Sequence, residues 1–144
     1  MSRQSFAICP KIKEIDEFLL ANPQYRNKLV ESHPELCFAQ LNSGTPIHEN
    51  KKSDNGLKVR INLLSRHYNK TQAIVNLEKG NYKLKNCLDD VIDALCLAVT
   101  GMMSSVTGLS RIPENPMANN RGLVMQMVVP LSRPVQRLPA PSRR

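Results

Sequence analysis

An alternation of helical and strand-forming segments predicts an α/β fold for this chain. Three observations carry it. Lys28 to Ser32 (KLVES) is a short strand candidate bounded by His33-Pro34, Leu123 to Val129 (LVMQMVV) reads as a final strand, and the helical patterns between them are well punctuated. Two strands are fewer than a self-sufficient sheet usually needs, so part of a larger fold is expected to be absent.

The first segment, Gln4 to Ala21, places Ile8, Ile12, Ile15 and Leu19 at helical spacing, with Lys11, Glu14 and Glu17 on other faces. Pro10 either begins this helix or kinks it, and Asn22-Pro23 stops it. A helix from Pro34 to about Leu41 has its proline at an allowed first-turn position. The stretch SGTPIHENKKSDNG reads as an exposed loop. Asp54 or Asn55 then caps a helix whose Leu57, Ile61 and Leu64 share a face while Lys58, Arg60 and Arg66 do not, ending before Asn69. Thr71 to Glu78 fits a helical turn or a short strand equally. Gly80-Asn81 is a break, and Asn86 to about Thr107 is the strongest helix in the chain. RIPENPMANNRG is a loop before the last strand, and the sequence has no internal repeat.

With 144 residues, 41% of them hydrophobic, the chain can bury one core and is not a wholly disordered segment. No uninterrupted apolar run is long enough to cross a bilayer, and MSRQSFAICPK lacks the apolar stretch of a secretory signal, so a cytoplasmic protein without a membrane partner is expected. Of the net charge of +8, half sits in residues 130–144, PLSRPVQRLPAPSRR, with four of the ten prolines and no acid. Such a segment has no apolar face to pack, so the domain is expected to span residues 1–129 and the tail to be disordered. Cys9, Cys37, Cys87 and Cys96 lie in apolar stretches without a C-x-x-C pair, which reads as buried reduced thiols rather than a zinc site or disulfides. Three Phe, three Tyr and no Trp offer no stacking platform for single strands.

The strongest helix carries NCLDDVIDALCLAVTG. Leu88, Val91, Ile92, Leu95, Cys96 and Val99 form its core stripe, while Asp89, Asp90 and Asp93 gather near its N-terminal end. Asn86 can cap the helix, and acids in its first turn complement the dipole, which accounts for Asp89 and Asp90. Asp93 lies a turn further in, between Ile92 and Ala94. A carboxylate approaching apolar surroundings is most simply offset by a cation. Mg²⁺ or Mn²⁺ accepts several carboxylate oxygens and can activate water at a phosphodiester. By composition alone the cap is the better reading of a D-D-x-x-D triplet.

The string D-D-V-I-D-A-L-C-L-A-V resembles the last helix of RuvC-type members of the RNase H-like superfamily, where acid-x-x-Asp-Ala-Leu delivers metal ligands. More closely, the chain resembles a family of predicted RNase H-like nucleases, domain of unknown function 429. Five blocks in order carry the resemblance over about residues 2–130: S-R-Q-S-F-A-I-C-P-K-I-K-E-I-D, E-S-H-P-E-L-C-F-A-Q-L-N-S-G, K-K-S-D-N-G-L-K-V-R-I-N-L-L, D-D-V-I-D-A-L and R-G-L-V-M-Q-M-V-V-P.

The resemblance implies an RNase H-like (RuvC-type) fold and a metal-dependent nuclease that hydrolyses phosphodiester bonds with one or two Mg²⁺ or Mn²⁺ ions. Glu31, at the end of KLVES, would join Asp90 and Asp93 as catalytic metal ligands, with Asp89 in reserve. Lys51, Lys52 and Arg60 would hold nucleic-acid phosphates, although Lys51-Lys52 is as readily a solubilising loop tip. His33 would orient a carboxylate or phosphate, and Glu35 fits a dipole role equally. Relatives begin with a further strand bearing an Asp in a G-x-D string. Nothing like it precedes Ser2, so residues 1–129 are expected to be the C-terminal portion of the domain, lacking its first strands and weakly active or inactive. Positions near Asn119 and Gln126, often acidic in relatives, are amides here. The competing expectation is a noncatalytic nucleic-acid or protein-binding module, or a degenerate product without activity. An exposed sheet edge would favour self-association.

Overall fold

The computed structural model describes residues 3–80 and 87–131, with side chains for 6–77 and 87–131. They form helices α1 (Arg3–Ala21), α2 (Pro34–Leu41), α3 (Asp54–His67), α4 (Thr71–Gly80) and α5 (Leu88–Thr107), and strands β1 (Leu109–Ile112) and β2 (Met127–Pro130). Helices with a small two-stranded antiparallel sheet are consistent with the α/β class. The chain divides into two compact units, one of residues 1–31 with 111–128, the other of residues 32–110 with those from 129 onward.

In the first unit, α1 runs through Pro10 without ending there. Its C-terminus is closed by the Asn22 side chain, which donates to Phe18 O at 2.9 Å, and by Arg26 Nε, which donates to Leu19 O at 3.0 Å. The expected apolar stripe is present but half-exposed, with Ile8, Ile12 and Ile15 each near 50% accessible. The strand expected at Lys28 to Ser32 does not form. Pro23–Tyr25 is a 3-10 turn, and the Lys28 and Leu29 amides both donate back to Tyr25 O, at 2.8 and 2.9 Å. Local bonding thus consumes the donors a ladder would need. What remains of the strand is one parallel bridge from Glu31 to Met127, with Val128 N donating to Glu31 O at 2.8 Å. The region expected as one strand from Leu123 instead makes an antiparallel bridge, Ala118 to Val124, before β2 begins. Asn119 shapes the turn between them, its Oδ1 accepting from Arg121 N and Leu123 N at 2.9 Å each.

The second unit holds the core: Cys37, Phe38 and Leu41 of α2, Leu63 and Leu64 of α3, Ile92, Leu95, Cys96 and Val99 of α5, and Val129. The stripe expected on the strongest helix therefore forms the wall against which α2, α3 and α4 pack. By length and composition α5 is apolar enough to cross a membrane, which the expectation from uninterrupted runs did not allow for. Cys87 occupies its N-cap position without a side-chain capping hydrogen bond, and the Asn86 cap lies outside the described residues. His33 caps α2, its Nδ1 accepting from Glu35 N at 3.3 Å. Ser53, rather than Asp54 or Asn55, caps α3. The ambiguous Thr71 segment is helix α4, entered through the Thr71 hydroxyl, which donates to Tyr68 O at 2.7 Å. Strand β1 was not expected. Gly108, at φ 85°, releases the chain from α5 in a conformation that favours glycine, and β1 can form only by pairing with the distant β2. Pro130, expected in the tail, is fully buried in β2, and residues 132–144 lie outside the described residues. Cys9 is exposed and Cys87 half-buried, so only Cys37 and Cys96 match the expectation of buried thiols.

Candidate functional site

Within the second unit, the turn before α3 presents a lysine to the acidic end of α5. Lys51 Nζ donates to Asp93 Oδ2 at 2.7 Å, with the two side chains 36% and 18% exposed. The cation that the sequence demanded beside Asp93 is thus supplied by the chain itself. The hydrogen bond to Asp93 raises the Lys51 ammonium above its ordinary value, and the negative fields of Asp93, Asp89 and Asp90 add to it. Three carboxylates act on one ammonium, so the helix tip stays negative. Asp93 Oδ1 is buried without a hydrogen-bond partner. Asp90 is exposed and Asp89 half-buried.

The turn that carries Lys51 is tightly wired. Ser53 Oγ donates to Asn50 O at 2.7 Å and accepts from Gly56 N at 3.0 Å, while Asn50 Oδ1 accepts from Lys52 N at 2.9 Å. A Cβ at Gly56 would run into the Asn50 carbonyl, so this close approach requires glycine. Gly56→Ala should therefore displace the turn and destabilise the protein by about 1–3 kcal/mol, measurable by urea denaturation; an unchanged midpoint would refute the wiring.

Arg60, expected on phosphate, is 2% exposed. Its Nη2 forms a two-pronged bond to Glu35, at 3.0 and 2.9 Å, and its Nη1 donates to Glu49 O at 3.0 Å and Gly56 O at 3.2 Å. The guanidinium also lies 5.5 Å from the Phe38 ring centre. It therefore ties α2 to both ends of the Lys51 turn. Glu35, weighed as a dipole acid, is the anion that makes this possible. Sequence reading missed the pairing because 25 residues separate the partners, and it set Arg60 off the apolar face although Arg60 stands with Gly56, Leu63 and Leu64 among the buried residues of α3.

Lys52 is exposed on the same turn, and Glu31 is exposed in the first unit. Among the described residues, no three His, Cys, Asp or Glu side chains stand close enough to form a metal cage by themselves. Gln126 Oε1, in the first unit, is buried without a partner, and Asn119 serves its turn.

Because the folded Lys51 holds its proton more tightly than a free lysine, the pair's contribution is fully present below the ordinary value of 10.5 and fades as pH rises through the raised one. Wild-type protein should lose stability over that alkaline interval while Lys51→Met does not; parallel pH slopes in thermal melts would contradict it.

No curated protein and no solved structure matches the chain at a significant level. One family model does, over residues 1–118, which takes in the α2 and α3 blocks, the Lys51 turn, and Asp89, Asp90 and Asp93. With most of its length matched, the chain belongs to the family described as "Protein of unknown function (DUF429)".

Proposed function

We propose that the chain serves metal-dependent hydrolysis of phosphodiester bonds, as an RNase H-like nuclease domain acting on nucleic acid. The observation that carries this reading is the buried, unpartnered Oδ1 of Asp93, one turn into the helix whose first turn carries Asp89 and Asp90. An orphaned carboxylate oxygen is costly unless something claims it. Mg²⁺ and Mn²⁺ suit the place, because magnesium sites commonly use one or two carboxylates and fill the remaining positions with water and substrate phosphate. Asp93 and Asp90 would hold the ion, which when bound supplies a more acidic water and stabilises charge on phosphate oxygens.

The chain's own residues divide the remaining work. Lys51 neutralises the Asp93 carboxylate through Oδ2, and were a divalent ion held by Asp93 and Asp90, the Lys51 ammonium would be available to phosphate. Lys52 contributes a second cation to the nucleic-acid backbone. Arg60 and Glu35 act as positioning residues, fixing the turn from which both lysines project.

The test is Mn²⁺-dependent cleavage of generic DNA and RNA substrates by the full chain, with Asp93→Asn as the comparison. Cleavage that Asp93→Asn abolishes supports the reading. Salt-sensitive binding without cleavage supports the noncatalytic nucleic-acid module instead, and in that case Lys52→Ala should lower the salt slope by about 1. Glu31→Gln in the same assay tests the ligand role that the resemblance implies for Glu31.

A further inference from the structure

Helix α1 carries an apolar row that the chain itself leaves open. Ile8, Ile12, Ile15 and Leu19 follow one another at steps of four, three and four residues, the rhythm of the seven-residue repeat whose positions a and d form a seam between helices. Ile12 and Leu19 take a, and Ile8 and Ile15 take d. More than half of each isoleucine is exposed, and Leu19 is half-buried. The main packing partner of α1 is the Pro23–Tyr25 turn at its C-terminal end, where the Phe18 and Tyr25 rings lie 5.6 Å apart beside the row. Pro10 removes one backbone hydrogen bond from the helix interior. A helix of 19 residues so weakened draws its stability from packing of its apolar face, and here that face is open to solvent.

The charges flanking the row determine what fits it. Lys11 falls at position g and Asp16 at position e, on opposite sides of the seam. Neither has an ion-pair partner among the described residues, whereas Lys13 and Glu17, on the outer face, pair with each other at 3.6 Å. In parallel copies the g residue of one helix meets the e residue five positions further along its neighbour, which brings Lys11 to Asp16. An antiparallel pair sets g against g and e against e, and gives neither charge an opposite. A lipid surface is a poorer match, because Arg3, Lys11 and Lys13 are balanced by Glu14, Asp16 and Glu17, while helices that lie on membranes have a strongly basic polar face. Isoleucine at d, with isoleucine or leucine at a, favours three or four strands over two.

We propose that α1 joins three or four copies of this chain in parallel around a seam of Ile8, Ile12, Ile15 and Leu19. The partner that fits the row is the same row on another copy. Rotational symmetry closes such a ring, so that no row is left open and each Lys11 reaches the Asp16 of a neighbour.

Sedimentation equilibrium of the full chain at low salt tests this. The mass should rise with concentration from one chain to three or four. Ile12→Asp, which puts a carboxylate into the seam, should hold the mass at one chain. Lys11→Glu should weaken association at least about fivefold by setting like charges together, Asp16→Lys should do the same, and the chain carrying both should recover it. The charge variants keep the apolar row, so they test the surface even where Ile12→Asp perturbs α1. A mass that levels at one or two chains would overturn the proposal, and binding of the single chain to phosphatidylglycerol vesicles would then assign the row to a lipid surface. Association that survives Ile12→Asp, or that the double charge variant does not recover, would overturn it equally.

Discussion

Replacing Arg60 by alanine should cost about 3 kcal/mol of folding stability, the lower end of what breaking a buried ion pair costs. The Arg60 side chain is 3% exposed while that of Glu35 is 39% exposed, so the orphaned carboxylate recovers some hydration. The Glu49 carbonyl, however, loses its guanidinium donor, and the Gly56 carbonyl is left with its helix bond alone. Arg60→Lys should recover only part of the loss, because an ammonium cannot bond both Glu35 oxygens and both carbonyls in one planar fork. Urea denaturation with equal m-values measures this; a loss under about 1 kcal/mol would place Arg60 among ordinary surface pairs.

Phe38→Ala should be at least as damaging, about 3–5 kcal/mol, through lost burial and the cavity left behind. Phe38 has no accessible surface and stands in the cluster shared by α2, α3 and α5. Its ring also faces the Arg60 guanidinium. The two substitutions should therefore be non-additive, the double variant losing less than the sum of the singles. Strict additivity in denaturation midpoints would show that ring and guanidinium act independently.

What could be read from the sequence follows the range of the forces involved. α2 begins at Pro34 and ends at Leu41 as expected, because proline placement and a capping residue act within one turn. The α5 stripe was legible because burial at 3.6-residue spacing writes itself into composition. KLVES misled because its β-forming residues compete with a turn set up by Pro23, and that competition is decided by hydrogen bonds the sequence does not display. β1 was invisible for the opposite reason, four residues being too few to signal a strand whose partner begins at Met127. At the site, the need of Asp93 for a cation was legible from its apolar neighbours, but its partner Lys51 lies 42 residues away. Arg60 illustrates the same limit: its charge suggested phosphate, and only tertiary structure shows that Glu35 already claims it.

In the proposed function, Asp93 offers its free oxygen to a divalent cation in competition with Lys51. Mn²⁺ binding, followed by electron paramagnetic resonance on wild type, Asp93→Asn and Lys51→Met, tests it most directly. Lys51→Met removes the competing ammonium and should bind Mn²⁺ more tightly than wild type, while Asp93→Asn should bind it more weakly than either. Equal affinity in all three proteins would contradict the claim and leave the Lys51–Asp93 pair as a structural tie alone.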